Sequence, residues 1–95
     1  MKKQAGILIQ SDGESRGVVP ANGGDFTLEE LQGFVEGLIE VVPLTENVIM
    51  VVNEEGKGVL PINFPATIIA RAQCAIFPND YIAGNALMCP SNMVK

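Results

Sequence analysis

The chain has 95 residues, a net charge of −5, six basic side chains and no histidine. The bases Lys2, Lys3, Arg16, Lys57, Arg71 and Lys95 are scattered, and Tyr81 is the only large polar aromatic. The clustered cations that carry direct DNA or RNA binding are therefore missing. The lack of histidine removes imidazole bases, Ser-His-Asp machinery and histidine metal sites, and no apolar run approaches the ~20 residues of a membrane span.

Ala5 to Gln10 (AGILIQ) is rich in branched residues and predicts a first strand. The opening MKKQAGILIQSDG has an apolar patch too short for a signal-peptide core, which predicts a cytoplasmic protein. Asp12-Gly13 supplies a turn. Arg16 to Ala21 (RGVVPA) predicts a short return strand that Pro20 confines to an edge. Asn22 to Asp25 is a flexible loop.

A helix is predicted over Leu28 to Glu36. Thr27 is its N-cap and Glu30, three residues on, completes a capping box. Phe26 and Leu31 form the hydrophobic staple. Leu28, Leu31, Phe34, Val35 and Leu38 share one face at helical spacing. Gly37 stands where a C-terminal glycine belongs. Gly33 costs about 1 kcal/mol against alanine inside a helix, so it marks either a close approach of backbone or ligand, or a tolerated surface position.

Leu38 to Val42 (LIEVV) and Val48 to Asn53 (VIMVVN) predict two strands joined by PLTEN. Glu40 alternates outward in the first. The second is almost continuously apolar and is expected inside the sheet, buried on both faces. NEEGKG is a turn. A second helix is predicted near Ala66 to Ala72, opened by Pro65, with strand as its competitor because Thr67, Ile68 and Ile69 are β-branched. Tyr81 to Met88 (YIAGNALM) predicts the last strand, ended by Pro90. The sum is one α+β domain over residues 1–95. Its mainly antiparallel sheet has four to five strands, with two short helices packed on one side.

Apolar residues make up 47% of the chain and charged ones 18%, against roughly 25% charged in a typical soluble domain. A chain this short buries only roughly 60–65% of its unfolded surface. Self-association into a homo-oligomer is the expected remedy. Cys74 and Cys89 are too few for a zinc site without histidine and are expected as small buried apolar residues.

The polar groups suited to a ligand gather in one stretch. Lys57 holds a phosphate as a point charge and Arg71 holds one bidentately. On the second helix Thr67 and Arg71 fall at i and i+4, beside an N-terminus that favours anions. Asn53 and Asn63 suit a base or sugar edge. The candidate ligand set is Asn53, Glu54, Lys57, Asn63, Thr67 and Arg71. The competing reading makes the asparagines caps, Lys57 a solvated turn residue and Arg71 a cover for apolar surface. No phosphate loop or dinucleotide turn is present. No catalytic residue, metal or cofactor is expected. Glu54 and Glu55 with a divalent metal form a weaker, hydrolytic alternative.

GFVEGLIEVVPL at 33–44, VVNEEGKG followed by LPIN, Ala66-Thr67, and DYIAGNAL at 80–87 resemble the phage and mobile-element family catalogued as domain of unknown function 3846. The likeness covers residues 26–88. Gly58 departs from the bulky aliphatic usual there, and Phe64-Pro65 from polar or basic residues. The resemblance implies a small α+β protein of phage, prophage or plasmid origin and supplies no activity. The leading expectation is a non-enzymatic oligomer that sequesters a nucleotide-type signal between subunits, as a counter-defence sponge. The alternative is a protein–protein inhibitor of a host defence or regulatory protein.

Overall fold

The apolar run that opens at Val48 becomes β4, Val48–Asn53, and it decides the architecture. The computed structural model describes residues 6–94; Ala5, expected to begin the first strand, and Lys2, Lys3 and Lys95 lie outside them. The other strands are β1 at Gly6–Ile9, β2 at Ser15–Val18, β3 at Ile39–Pro43 and β5 at Ala86–Pro90. They form one sheet in the order β2-β1-β5-β4-β3, antiparallel at every pairing. β4 lies inside it, between β5 and β3.

Successive side chains of a strand point to opposite faces. β4 is apolar from Val48 to Val52, so both of its faces need cover. The helices supply it from opposite sides. α1, Leu28–Val35, sets Leu31 and Val35 against Leu8, Ile49, Val51, Leu87 and Cys89. α2, Phe64–Ala72, sets Ala66 and Ala70 against Ile9, Val42, Met50, Val52 and Ala86. The fold is α+β, as expected, but the placement of both helices on one side is corrected. One helix layer on one face would leave Met50 and Val52, or Ile49 and Val51, in water.

α1 begins as predicted. Thr27 Oγ1 accepts from Glu30 N–H at 3.1 Å, and Glu30 Oε1 accepts from Thr27 N–H at 2.8 Å. Phe26 and Leu31 join the same apolar cluster, and Phe26 meets Phe34 edge-on at 5.8 Å. The helix end differs from expectation. Glu36, not Gly37, takes the left-handed conformation, with φ 65°. Gly37 is small for another reason: a Cβ there would stand 2.7 Å from Asn53 Nδ2. Gly33 faces open space and is a surface glycine.

α2 starts two residues earlier than predicted, because Asn63 caps it. β5 starts at Ala86 rather than Tyr81. The preceding segment is held by α2 instead of the sheet: Asn63 N–H donates to Ile82 O at 2.8 Å, and Ile82 N–H donates to Thr67 Oγ1 at 2.9 Å. Gly84, at φ 80°, then turns the chain into β5.

Cys89 is buried and its thiol is pushed up to about 11 by desolvation. Cys74 is exposed, which corrects the expectation of two buried cysteines; α2 has ended at Ala72, and Cys74, at φ 56°, stands in the turn that follows it. A maleimide reagent should add once to the native protein, at Cys74, and a second time only on unfolding. Intact mass before and after urea reads this directly.

Candidate functional site

The structure divides the six candidate residues. Asn63 is fully buried. Its Nδ2 donates to Ile9 O at 2.9 Å and Gly84 O at 2.8 Å, and its Oδ1 accepts from Ala66 N–H at 3.1 Å. The Thr67 hydroxyl donates to Asn63 O at 2.7 Å and accepts from Ile82 N–H. These two side chains fasten β1, α2 and the approach to β5 to one another. Neither reaches a surface ligand. The Ala66 and Thr67 amides are also taken, by Asn63 Oδ1 and Asn63 O, so these N-terminal donors of α2 are already in use.

The other four face a common region. Asn53 Nδ2 donates to Val35 O at 3.0 Å, closing the end of α1, and its Oδ1 accepts from Glu55 N–H at 2.7 Å. Lys57 Nζ forms an ion pair with Asp80 and lies 5.6 Å from the centre of the Tyr81 ring. Arg71 donates from Nε and Nη2 to Asp80 O, at 3.1 and 2.8 Å. Both cations are therefore engaged with one residue that the sequence reading did not single out. The available signal was that Asp80 is an acid in the same stretch as the only two bases between residues 17 and 94.

Asn53, Glu54 and Lys57 line a hollow of about 110 Å³ together with Glu40, Asp80 and Tyr81. It adjoins a wider one of about 400 Å³ between β3 and the chain that leaves α2, lined by Val41, Pro43, Cys74, Ala75, Ile76 and Phe77. Glu40, Val42, Ile76 and Asp80 line both, so the two make one groove. Its charged groups are three carboxylates, Glu40, Glu54 and Asp80, against Lys57. Among the described residues, no three Cys, Asp or Glu side chains come together in a way that could hold a metal ion.

The Asp80 carboxyl is held below the usual carboxylate range, first by the hydrogen bond from Lys57 and then by the one from Tyr81 N–H. A carboxylate depressed in the folded state adds stability above its unfolded pKa near ~3.9, and loses it as pH falls through the folded value. Stability should therefore decline below about pH 4. Asp80→Asn should be less stable at neutral pH and show a flatter acid limb, read from urea midpoints across the acid range.

The class defined by this geometry is a small antiparallel sheet sandwiched between two helices, with an acidic and apolar surface groove. The chain belongs to the family DUF3846, described as a domain of unknown function, whose model matches residues 3–93. No curated protein and no solved structure matches it. Among the described residues no helix is long and apolar enough to cross a membrane.

Several residues of the motifs that carry the family resemblance fasten backbone, Asn53, Asn63 and Thr67 among them. Asn85 behaves like Asn53 and Asn63: its Nδ2 donates to Phe34 O at 3.2 Å and its Oδ1 accepts from Ser11 N–H at 3.2 Å. Gly56 permits a close approach of backbone, since a Cβ would stand 2.9 Å from Ala83 O, and Gly84 supplies the φ of 80°.

Proposed function

We propose that this chain is a non-catalytic binding protein that engages another protein through the groove beside β3. One observation carries the reading. The groove sets three carboxylates beside an open apolar wall, whereas of the polar groups suited to a nucleotide Asn63 and Thr67 are engaged inside the protein and Lys57 and Arg71 are engaged with Asp80. Phe77, at 77% exposure, projects from that wall. An exposed aromatic beside charged groups is a common anchor of protein interfaces. The target of this reading is a host defence or regulatory protein in the host cytoplasm. The test is retention of a stoichiometric protein partner by the tagged chain in its native cells. Phe77→Asp should lose that partner while melting at the wild-type temperature. A partner retained equally by Phe77→Asp would contradict the reading.

Sequestration of a nucleotide-type ligand by a homo-oligomer is the second reading. Its support is the convergence of Lys57 and Arg71 on Asp80, beside the Tyr81 ring. A phosphate would have to displace Asp80 from Lys57. A second copy, covering the exposed Phe64 and Ile68 of α2, would have to complete the pocket. Calorimetric titration of wild type and Lys57→Ala with nucleotides tests it. Binding that Lys57→Ala abolishes would favour this reading over the first.

A further inference from the structure

The outer edge of β3 has a hydrogen-bonding pattern that can be read from its pairing with β4. Leu38 O accepts from Glu54 N–H at 2.8 Å, and Leu44 N–H donates to Val48 O at 2.9 Å. The register between them pairs Glu40 with Val52 and Val42 with Met50. In an antiparallel ladder the bonded pairs fall at every second position. Glu40 and Val42 therefore turn their backbone groups toward β4, while Ile39, Val41 and Pro43 turn theirs outward. β3 is the last strand of the sheet, so among the described residues no strand pairs with that rim. It offers the N–H of Ile39 and Val41 and the carbonyls of Ile39, Val41 and Pro43. Pro43, which has no N–H, stands where the missing donor leaves the ladder to β4 intact.

The groove runs along this rim. On the α2 side of the sheet it presents Glu40 and Asp80 over Val42, Ile76 and Phe77. On the α1 side Val41 stays 42% exposed. Resting on the binding-protein reading above, we propose that β3 accepts an extended segment of the partner as a sixth strand. That segment alternates basic and apolar residues. Its bases lie along Glu40 and the Asp80 oxygen that faces away from Lys57, with their aliphatic stems on Val42 and Phe77. Its apolar side chains lie beside Val41. Backbone bonds at the rim give affinity, and the alternation gives specificity. A second copy of this chain is the poorer occupant, because symmetric pairing of β3 with itself brings Glu40 and Asp80 close to their own copies, and like charges in register destabilise a sheet. The opposite edge, β2, carries a cation, Arg16, and does not complement a basic strand.

The probe is a fluorescent, end-blocked octapeptide of alternating lysine and valine, with a glutamate–valine peptide as control. Anisotropy should show saturable binding of the first alone, weakened by added salt. Amide exchange should slow at Ile39 and Val41. Val41→Pro removes an outward donor and no bond to β4. It should melt with the wild type and bind roughly tenfold more weakly or worse. Glu40→Lys, which leaves the backbone alone, should weaken binding in the same sense.

The proposal is overturned by absence of binding, or by equal binding of the acidic peptide. Protection confined to the Phe64 and Ile68 face, or unchanged binding by both variants, also overturns it. So does a multimer that Val41→Pro dissociates, which would make a second copy the occupant. If the peptide fails while the cell-derived partner is still lost with Phe77→Asp, this proposal falls and the binding-protein reading stands.

Discussion

Asn63→Ala should lower the unfolding free energy by about 3–5 kcal/mol. Two buried carbonyls, Ile9 O and Gly84 O, lose their donor, and the Ala66 amide loses its acceptor. Each unsatisfied buried group costs about 1–3 kcal/mol, and loss of an N-cap alone costs about 1 kcal/mol. Against a total of roughly 5–15 kcal/mol for a native domain, the variant stands at the margin of folding. Asn63→Asp should be no better. It keeps an acceptor for Ala66 but supplies no donor to the carbonyls and buries a charge among them. Urea titration followed by circular dichroism measures both. Stability within about 1 kcal/mol of wild type would mean that the amide does not fasten the fold.

Leu87→Ala should cost about 3–4 kcal/mol, in the range for leucine deletions in a close-packed core. Leu87 is fully buried on β5, the middle strand, where it pairs with Leu8 and Val51 on the α1 side. Neighbouring strands hold both flanks, so little can collapse into the space it leaves. Its effect should be nearly additive with a deletion on the other face, such as Val42→Ala, because the two belong to separate apolar clusters. A double variant measured by the same titration tests the two-sided core. Strong coupling between these distant sites would contradict it.

The parts of the fold that were legible in the sequence rest on local rules. Thr27 and Glu30 lie three residues apart, and their reciprocal bonds need nothing beyond the first turn of α1. Val48–Asn53 matched its predicted limits because an unbroken apolar run bounded by polar residues has few other places to go. The side each helix takes is a long-range property. The pattern of β4 says that both faces are covered, and nothing local says by what. β5 was misplaced for a related reason. Tyr81 to Asn85 has the composition of a strand, yet its backbone is claimed by Asn63 and Thr67 from another part of the chain.

The candidate ligand set mixed two kinds of residue for the same cause. An asparagine that fastens backbone and one that reads a ligand carry the same donors and acceptors. Their partners distinguish them, and those of Asn63 are 54 and 21 residues away in sequence. Lys57 and Arg71 did come to one place, around Asp80, and Asn53 and Glu54 line the hollow beside it. Glu40 was visible as the outward residue of its strand, but only the sheet order makes that strand an edge.

Asn53, Asn63, Thr67 and Asn85 thus hold the fold, and the surface we propose for binding lies along β3. Native mass spectrometry of the protein recovered from its own cells, intact and then denatured, tests this most directly. The account predicts a complex carrying a second polypeptide and releasing no nucleotide-sized mass on unfolding. A multimer of this chain alone that frees such a small molecule would contradict it, and would return the function to ligand sequestration.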